Sequence, residues 1–177
     1  MLEDPEHEYS TTVKDYRNNN YGVIMTDIEK GTNNLSSFVF DTSSVAVIHN
    51  HPNQSILSPL DIISLIHASQ SSLIRTMIAW DTKNDIYYCA TIYDTAKANA
   101  FFNKYRCEVE SITHDWGLES DIYKYQKEYK RNFRKIKTKD NVKVADLLSM
   151  SNILNHFDSG LSITTITNEK KEDGSKV

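Results

Sequence analysis

The feature that most constrains this chain is a pair of histidines placed where a strand has to end. Residues 44–48, Ser-Val-Ala-Val-Ile, predict a strand because they form a continuous apolar run, and His-Asn-His-Pro follows at 49–52. Proline cannot donate a hydrogen bond to a strand ladder, so the strand should end at Pro52. Because side chains alternate along a strand, His49 and His51 should project from the same face of the sheet.

A helix start follows this strand. Ser58 is typical of an N-cap, Pro59 of the first helical position, and Asp61 lies three residues after the cap, where the helix dipole favours a carboxylate. A strand end, a short loop and a helix N-terminus can bring Asp61 close to His49 and His51. Two imidazoles and one carboxylate are the protein ligands of a catalytic zinc site that leaves its fourth position to water. We therefore predict a zinc site at these three residues.

Each half of this pattern also has an ordinary structural explanation. Ser58 with Asp61 forms a capping box of the kind that starts many helices, and a single histidine at a strand end is usually a satisfied polar group. The combination of both halves within so short a stretch is hard to explain by folding needs alone, and it favours the metal site.

The pattern His-x-His-Pro followed by Ser-x-x-Asp resembles the signature of the JAMM (MPN+) metalloenzyme family, and it is most similar to the bacterial RadC-like and the phage- or toxin-associated branches. Six residues separate His51 from Ser58, one fewer than in the commonest form of the family. The resemblance implies an α/β fold of the α+β type, with a mixed sheet flanked by helices as in JAMM and cytidine deaminase-like proteins. It also implies zinc-dependent hydrolysis of amide or isopeptide bonds.

The resemblance implies further roles for two residues outside the ligand set. Ser58 would donate a hydrogen bond to the oxyanion of the tetrahedral intermediate. A glutamate upstream of the histidines would take a proton from the zinc-bound water and pass it to the leaving amine. Glu8 is the first choice because the β-forming sequence Tyr-Ser-Thr-Thr-Val follows it, and Glu6 is the second. Glu29 precedes a predicted turn and should be solvated, and a polar N-terminal tail without any such role is the alternative.

Composition limits the remaining choices. Hydrophobic residues make up 39% of the 177 positions and charged residues 25%, which is typical of a globular protein. No apolar run approaches the roughly 20 residues of a membrane helix, and the acidic N-terminus lacks an apolar signal region, so we expect a cytoplasmic protein without a membrane partner. Cys89 and Cys107 have no cysteine partner at metal spacing and are predicted to be ordinary thiols.

Three parts are predicted along the chain: a JAMM-like metal-binding domain at 1–110, a helical extension with a final strand at 111–167, and a disordered tail at 168–177. Within these parts, strands are predicted near 8–13, 21–26, 36–40, 45–51, 74–80, 85–93 and 161–166, and helices near 60–69, 95–105, 121–139 and 144–156. His114 and Asp115 form an isolated polar pair that predicts a surface or capping role.

The segment 121–139 combines many lysines and arginines with Tyr125, Tyr129 and Phe133 at fourfold spacing. Such a segment can bind nucleic acid or an acidic protein, but an amphipathic helix that packs its aromatic residues and solvates its lysines is favoured. The net charge of −4 also argues against a nucleic-acid binder.

The predicted partner is therefore a peptide or protein substrate, with a ubiquitin-like tail as one option. Two alternatives stay open. One is a non-catalytic binding module of the JAB/MPN fold from a phage, toxin or mobile-element system. The other is a nucleic-acid accessory protein of the RadC-like type, which would act through the basic segment.

Overall fold

The computed structural model describes residues 6–17, 22–32, 37–52, 55–133 and 141–167. Within these ranges the chain forms one mixed sheet of seven strands together with four α-helices. The strands are β1 (Tyr9–Asp15), β2 (Val23–Met25), β3 (Glu29–Lys30), β4 (Ser44–Asn50), β5 (Thr76–Asp81), β6 (Ile86–Ile92) and β7 (Leu161–Thr167). The helices are α1 (Pro59–Ser69), α2 (Thr95–Tyr105), α3 (Asp121–Phe133) and α4 (Asn141–His156), and a 3₁₀ turn, Arg106–Glu108, follows α2.

The order of the strands puts β4 in the interior of the sheet. The order is β2-β1-β4-β5-β6-β7, and β3 also pairs with β1. The pair β4–β5 is parallel, whereas every other pair of strands in the described sheet is antiparallel. A parallel pair needs a crossover connection, and α1 supplies it between β4 and β5. The carboxyl end of β4 therefore lies between two neighbouring strands and directly before the loop that leads to α1.

The hydrophobic core is built where α1 packs against the sheet. Ile62, Leu65 and Ile66 are fully buried, and their spacing of three and four residues puts them on one side of the helix. The same core contains Val47 of β4 and Met77 of β5. Each such side chain contributes about 1.5–3 kcal/mol when it is removed from water, so α1 is held firmly on the sheet that contains β4.

The C-terminal segment joins the same core and the same sheet. Ile153 and Leu154 of α4 and Leu161 of β7 belong to the core cluster that includes α1, and β7 pairs along its whole length with β6. The strand that the sequence predicts at the end of the extension therefore extends the sheet that holds β4. Among the described residues, no helix has the length and apolar character needed to cross a membrane.

Most of the predicted elements are confirmed, but a strand near 36–40 is wrong. Residues 37–40 are irregular, and Ser36 lies outside the described residues. Both edges of β1 are already occupied, by β4 on one side and by β2 and β3 on the other. Residues 37–40 are instead held by side chains of β1, because Ser10 Oγ donates to the Ser37 carbonyl at 2.7 Å and Thr12 Oγ1 donates to the Val39 carbonyl at 2.8 Å.

Two further predictions differ in detail. Glu29 is exposed, as expected, but it lies in the short strand β3 rather than at the edge of a turn. The predicted helix at 121–139 is confirmed up to Phe133, and its last residues lie outside the described part of the chain. The predicted tail at 168–177 also lies outside it.

Candidate metal centre

The structure brings His49, His51 and Asp61 together as predicted, and their ligand atoms all lie within 4.8 Å of one another. The Nε2 atoms of the two imidazoles are 2.8 Å apart. Asp61 Oδ1 lies 3.4 Å from His49 Nε2, and Asp61 Oδ2 lies 3.6 Å from His51 Nε2. Three donors from two secondary-structure elements therefore converge on one point.

These distances fit a small tetrahedral ion. Ligand atoms that bind such an ion at about 2.0–2.1 Å are separated from one another by about 3.3 Å. The two Nε2 atoms, at 2.8 Å, are closer together than this value, and Asp61 Oδ1, at 3.4 Å from His49 Nε2, lies close to it. The chemistry of the donors agrees, because neutral imidazole nitrogen and carboxylate oxygen are both metal ligands. The cluster can therefore hold one metal ion.

The sheet fixes the two histidines. Both side chains are buried, with His49 5% and His51 4% exposed. His49 is paired with Ser10 of β1 and Ala79 of β5, and the backbone N–H of His51 donates to the Trp80 carbonyl at 2.9 Å. The pleat then directs both imidazoles to the same face, as the sequence predicts.

The start of α1 fixes the carboxylate. Ser58 is the N-cap, and its backbone N–H and hydroxyl donate to Asp61 Oδ2 at 2.6 and 2.8 Å. The Asp61 N–H donates back to Ser58 Oγ at 3.2 Å, which completes the capping box. The predicted capping box and the predicted ligand set thus share one carboxylate. Because Ser58 holds Oδ2, Oδ1 is left facing His49.

A carbonyl oxygen sets the orientation of the second imidazole. His51 Nδ1 lies 3.0 Å from the Ser55 carbonyl oxygen. In the tautomer with its proton on Nδ1, His51 donates to this oxygen. The unprotonated Nε2 then faces Asp61 and His49. Partners of this kind orient metal-binding histidines and raise the basicity of the nitrogen that binds. The loop between β4 and α1 therefore orients a ligand as well as connecting two elements.

The three groups shift one another's pKa values. Burial by itself would raise the pKa of Asp61, but the two imidazoles outweigh it and hold the pKa well below its usual range. Burial lowers the pKa of His49, yet the charges of Asp61 and Glu8 outweigh it, and the net shift is upward. Burial also lowers the pKa of His51, and there the opposing effect of Asp61 is too small to reverse the shift. The cluster thus favours an ionised carboxylate beside at least one neutral imidazole.

Glu8, the first choice for the upstream glutamate, lies at this site. It directly precedes β1, it is 7% exposed, and it lines a cleft of about 460 Å³ together with the two histidines and Asp61. Its backbone is fixed by hydrogen bonds, since Glu8 N donates to the Thr32 carbonyl and Gly31 N donates to the Glu8 carbonyl, both at 2.8 Å. Glu6, the second choice, is exposed.

Asn50 is a positioning residue that sequence reasoning missed. It lies between the two histidines, and its side chain therefore points to the opposite face of β4. Its Oδ1 accepts the Tyr9 N–H at 2.5 Å, and its Nδ2 donates to the His7 carbonyl at 3.1 Å, so it holds the residues on either side of Glu8. The asparagine in the sequence His-Asn-His-Pro was the available signal.

Sequence reasoning also missed the opposite side of the cleft. It is formed by the C-terminal segment, through the loop that follows the 3₁₀ turn and through α3 and α4. His114 and Asp115, predicted to be an isolated surface pair, line the cleft as well. The residues contributed by this segment are Ile112, Thr113, His114, Asp115, Gln126, Lys130, Asp146 and Met150. No local pattern marks these residues, because they meet the metal cluster only in the folded chain.

No protein-family model matches this chain, and no curated protein or solved structure matches it significantly. The class is therefore defined by the fold and the site alone. The described residues form a mixed α/β protein with a seven-stranded mixed sheet, and a cluster of two buried histidines and one half-buried aspartate in it could hold a metal ion.

Proposed function

We propose that this chain is a zinc-dependent hydrolase of amide or isopeptide bonds, of the JAMM type. The observation that carries the proposal is the position of a buried glutamate, Glu8, in the same cleft as the His49–His51–Asp61 cluster. A metal cluster alone is compatible with a purely structural ion. A carboxylate beside it supplies the base that hydrolysis needs.

Zinc is the metal that suits this site best. Imidazole with carboxylate is a common donor set for zinc, and three protein ligands with one open position distinguish catalytic from structural zinc sites. Zinc bound here would lower the pKa of a water ligand to about 7 and polarise the carbonyl of the scissile bond.

The side chains around the cluster would then transfer the proton and stabilise the oxyanion. Glu8 takes a proton from the attacking water and delivers it to the leaving amine, and Asn50 holds the backbone on both sides of Glu8 for this task. Ser58 donates its hydroxyl to the developing oxyanion. The hydroxyl has to turn away from Asp61 Oδ2 to do so, and the Ser58 backbone N–H, at 2.6 Å, still holds that oxygen when it does.

Metal content tests the first half of this proposal. Purified wild-type protein should contain about one zinc per chain by mass spectrometry, and the double variant His49→Ala/His51→Ala should contain almost none while its circular dichroism spectrum is unchanged. His67→Ala removes an exposed histidine of α1 and is the matched control, which should keep its zinc. Equal zinc content in the double variant and the wild type would rule the site out.

Substitution of Glu8 tests the second half of the proposal, which is its role as the general base. Zinc-loaded protein is incubated with a proteome-derived peptide mixture, and new termini are counted by mass spectrometry. Glu8→Gln should lower the rate by about 10²–10⁴-fold, which is typical for loss of a general base, and leave zinc content unchanged. Glu29→Gln, at an exposed position, is the control. If zinc-loaded wild type releases no new termini from peptides or from an isopeptide-linked ubiquitin conjugate, the chain is a non-catalytic module.

A further inference from the structure

One loop that lines the same cleft as the metal cluster is a hairpin, and we call residues 109–116 the lip. Val109 and Trp116 form an isolated antiparallel bridge at its base. Inside it, the Glu110 N–H donates to the Asp115 carbonyl at 2.9 Å, and the His114 N–H donates to the Glu110 carbonyl at 3.0 Å. Internal bonds of this kind leave the lip few other conformations.

Two anchors fix the lip to the body of the protein. Trp116 is 1% exposed and packs edge-on against Phe101 of α2, with ring centroids 6.2 Å apart. On the other side, the Leu60 N–H in the first turn of α1 donates to the His114 carbonyl at 3.3 Å. The second anchor connects the lip to the helix turn that holds Asp61. The position of the lip relative to the metal cluster is therefore set by direct bonds.

The lip contains two locally unfavourable features, and both lie at the cleft. His114 has a φ of 59°, in the left-handed region that side-chain-bearing residues rarely adopt. Ile112 is 91% exposed, the highest value among the exposed large hydrophobic residues of the described chain. A single exposed isoleucine is ordinary. An isoleucine that a strained, doubly anchored loop presents at the mouth of a metal cleft favours a functional explanation.

The lining of the cleft contains further apolar side chains besides Ile112. Leu60 of α1 and Met150 of α4 line it, and Met150 is 3% exposed. The lining of the cleft thus includes apolar groups from three separate elements. Such a surface favours aliphatic side chains of a ligand, because burying them on both partners removes apolar area from water.

We propose that the lip is the substrate-selecting part of this site, and that Ile112, with Leu60, receives an aliphatic side chain next to the scissile amide of a peptide substrate. This inference rests on the proposed hydrolase function. Ile112 is a specificity-determining residue, since it contacts the substrate and neither the metal nor the reacting atoms. A rigid lip favours binding because little conformational entropy is lost when the substrate arrives.

The test compares Ile112→Lys with Ile112→Leu in zinc-loaded protein. Wild type digests the proteome-derived peptide mixture, and the residues flanking the new termini should be enriched in Val, Ile and Leu. One peptide cleaved in this way is then synthesised for kinetics. Ile112→Lys should lower kcat/KM for it by about 10–200-fold, mainly through KM, which is the range that apolar pocket contacts give. Ile112→Leu should stay within a few-fold of wild type.

Leu118→Lys is the matched control, because Leu118 is also exposed, at 62%, but does not line the cleft. Its cleavage profile and zinc content should equal those of the wild type. An unchanged profile in Ile112→Lys would overturn the role of the lip and leave the hydrolase proposal standing. Loss of zinc in Ile112→Lys would also overturn it, since the lip would then support the metal site. If wild type cleaves no peptide at all, the proposed function fails and this inference fails with it.

Discussion

The two walls of the cleft differ in how they are built. The near wall consists of Glu8, the end of β4 and the start of α1. Glu8, His49 and His51 are buried, and the half-buried Asp61 is bonded to Ser58 and lies within 3.6 Å of both imidazoles. The far wall consists of the lip with α3 and α4, and most of the residues that it contributes are exposed or half-buried. The comparison indicates that the near wall holds its polar groups in fixed positions that could bind a metal ion, whereas the far wall leaves more of its side chains accessible.

The two walls also differ in the free energy that is lost when a charged group is removed. In the near wall, Asp61 with its imidazoles forms a desolvated cluster of charges, where loss of one member leaves the others without compensation. In the far wall, Lys130 and Asp146 form an ion pair at 2.8 Å, but their side chains are 34% and 39% exposed, so water screens the attraction. Substitutions should therefore have large effects in the near wall and graded effects in the far wall.

The largest contrast is expected between two aspartates at helix starts, Asp61 three residues after its N-cap and Asp94 at the N-cap itself. Asp61 and Asp94 each accept hydrogen bonds at the start of a helix, and Asp94 Oδ1 accepts from the Ala96 and Lys97 N–H groups. Asp94→Ala should cost about 1 kcal/mol of unfolding free energy and leave zinc in place. Asp61→Ala should remove nearly all the zinc as well, because a ligand is lost. Mass spectrometry measures the zinc content, and urea unfolding measures the free energy of unfolding. An Asp61→Ala protein that keeps its zinc would show that Asp61 is not a ligand.

The next effect concerns the anchor of the far wall. Trp116→Ala leaves a cavity beside Phe101 and should cost about 3–5 kcal/mol of unfolding free energy, measured by urea unfolding. Zinc content of the folded fraction should not change, because Trp116 does not contact the cluster. Leu118→Ala, at an exposed position near the lip, should change stability by less than about 0.5 kcal/mol. A small effect at Trp116 would mean that the lip is not anchored as described.

A smaller effect is expected where capping and metal binding meet. Ser58→Ala removes the hydroxyl that donates to Asp61 Oδ2 but keeps the backbone N–H that binds the same oxygen. Zinc affinity, measured by competition with a chelator, should fall by about 10–100-fold, as is usual when a group that orients a ligand is lost. Unfolding free energy of the zinc-free protein should fall by about 1 kcal/mol. Unchanged zinc affinity would separate the capping box from the metal site.

The smallest effect should be at the ion pair between α3 and α4. Lys130→Ala and Asp146→Ala should each cost at most about 1 kcal/mol, and their coupling in a double-mutant cycle should be about 0.2–1 kcal/mol. Neither should change zinc content. A coupling well above this range would show that the far wall is as tightly constrained as the near wall.

Local physical rules explain why the near wall could be predicted. Alternation along a strand puts His49 and His51 on one face, and the capping preferences of Ser58 and Pro59 locate the start of α1 to the residue. Residues 37–40 show where such rules fail. Their composition suits a strand, but β1 had no vacant edge to pair with them. Pairing partners depend on the whole sheet, and a local pattern does not contain them.

The order of residues by itself predicted the strand, the capped helix and the ligand set His49, His51 and Asp61, because alternation and capping act within a few positions of the chain. Only the tertiary structure decided that Asn50 braces the residues beside Glu8, and that the lip, α3 and α4 close the cleft opposite the cluster. Those contacts join residues about 40 to 100 positions apart. The contacts of Asn50 form because β1 pairs with β4, and the C-terminal segment reaches the cleft because α4 and β7 bury their apolar residues in the core that α1 shares.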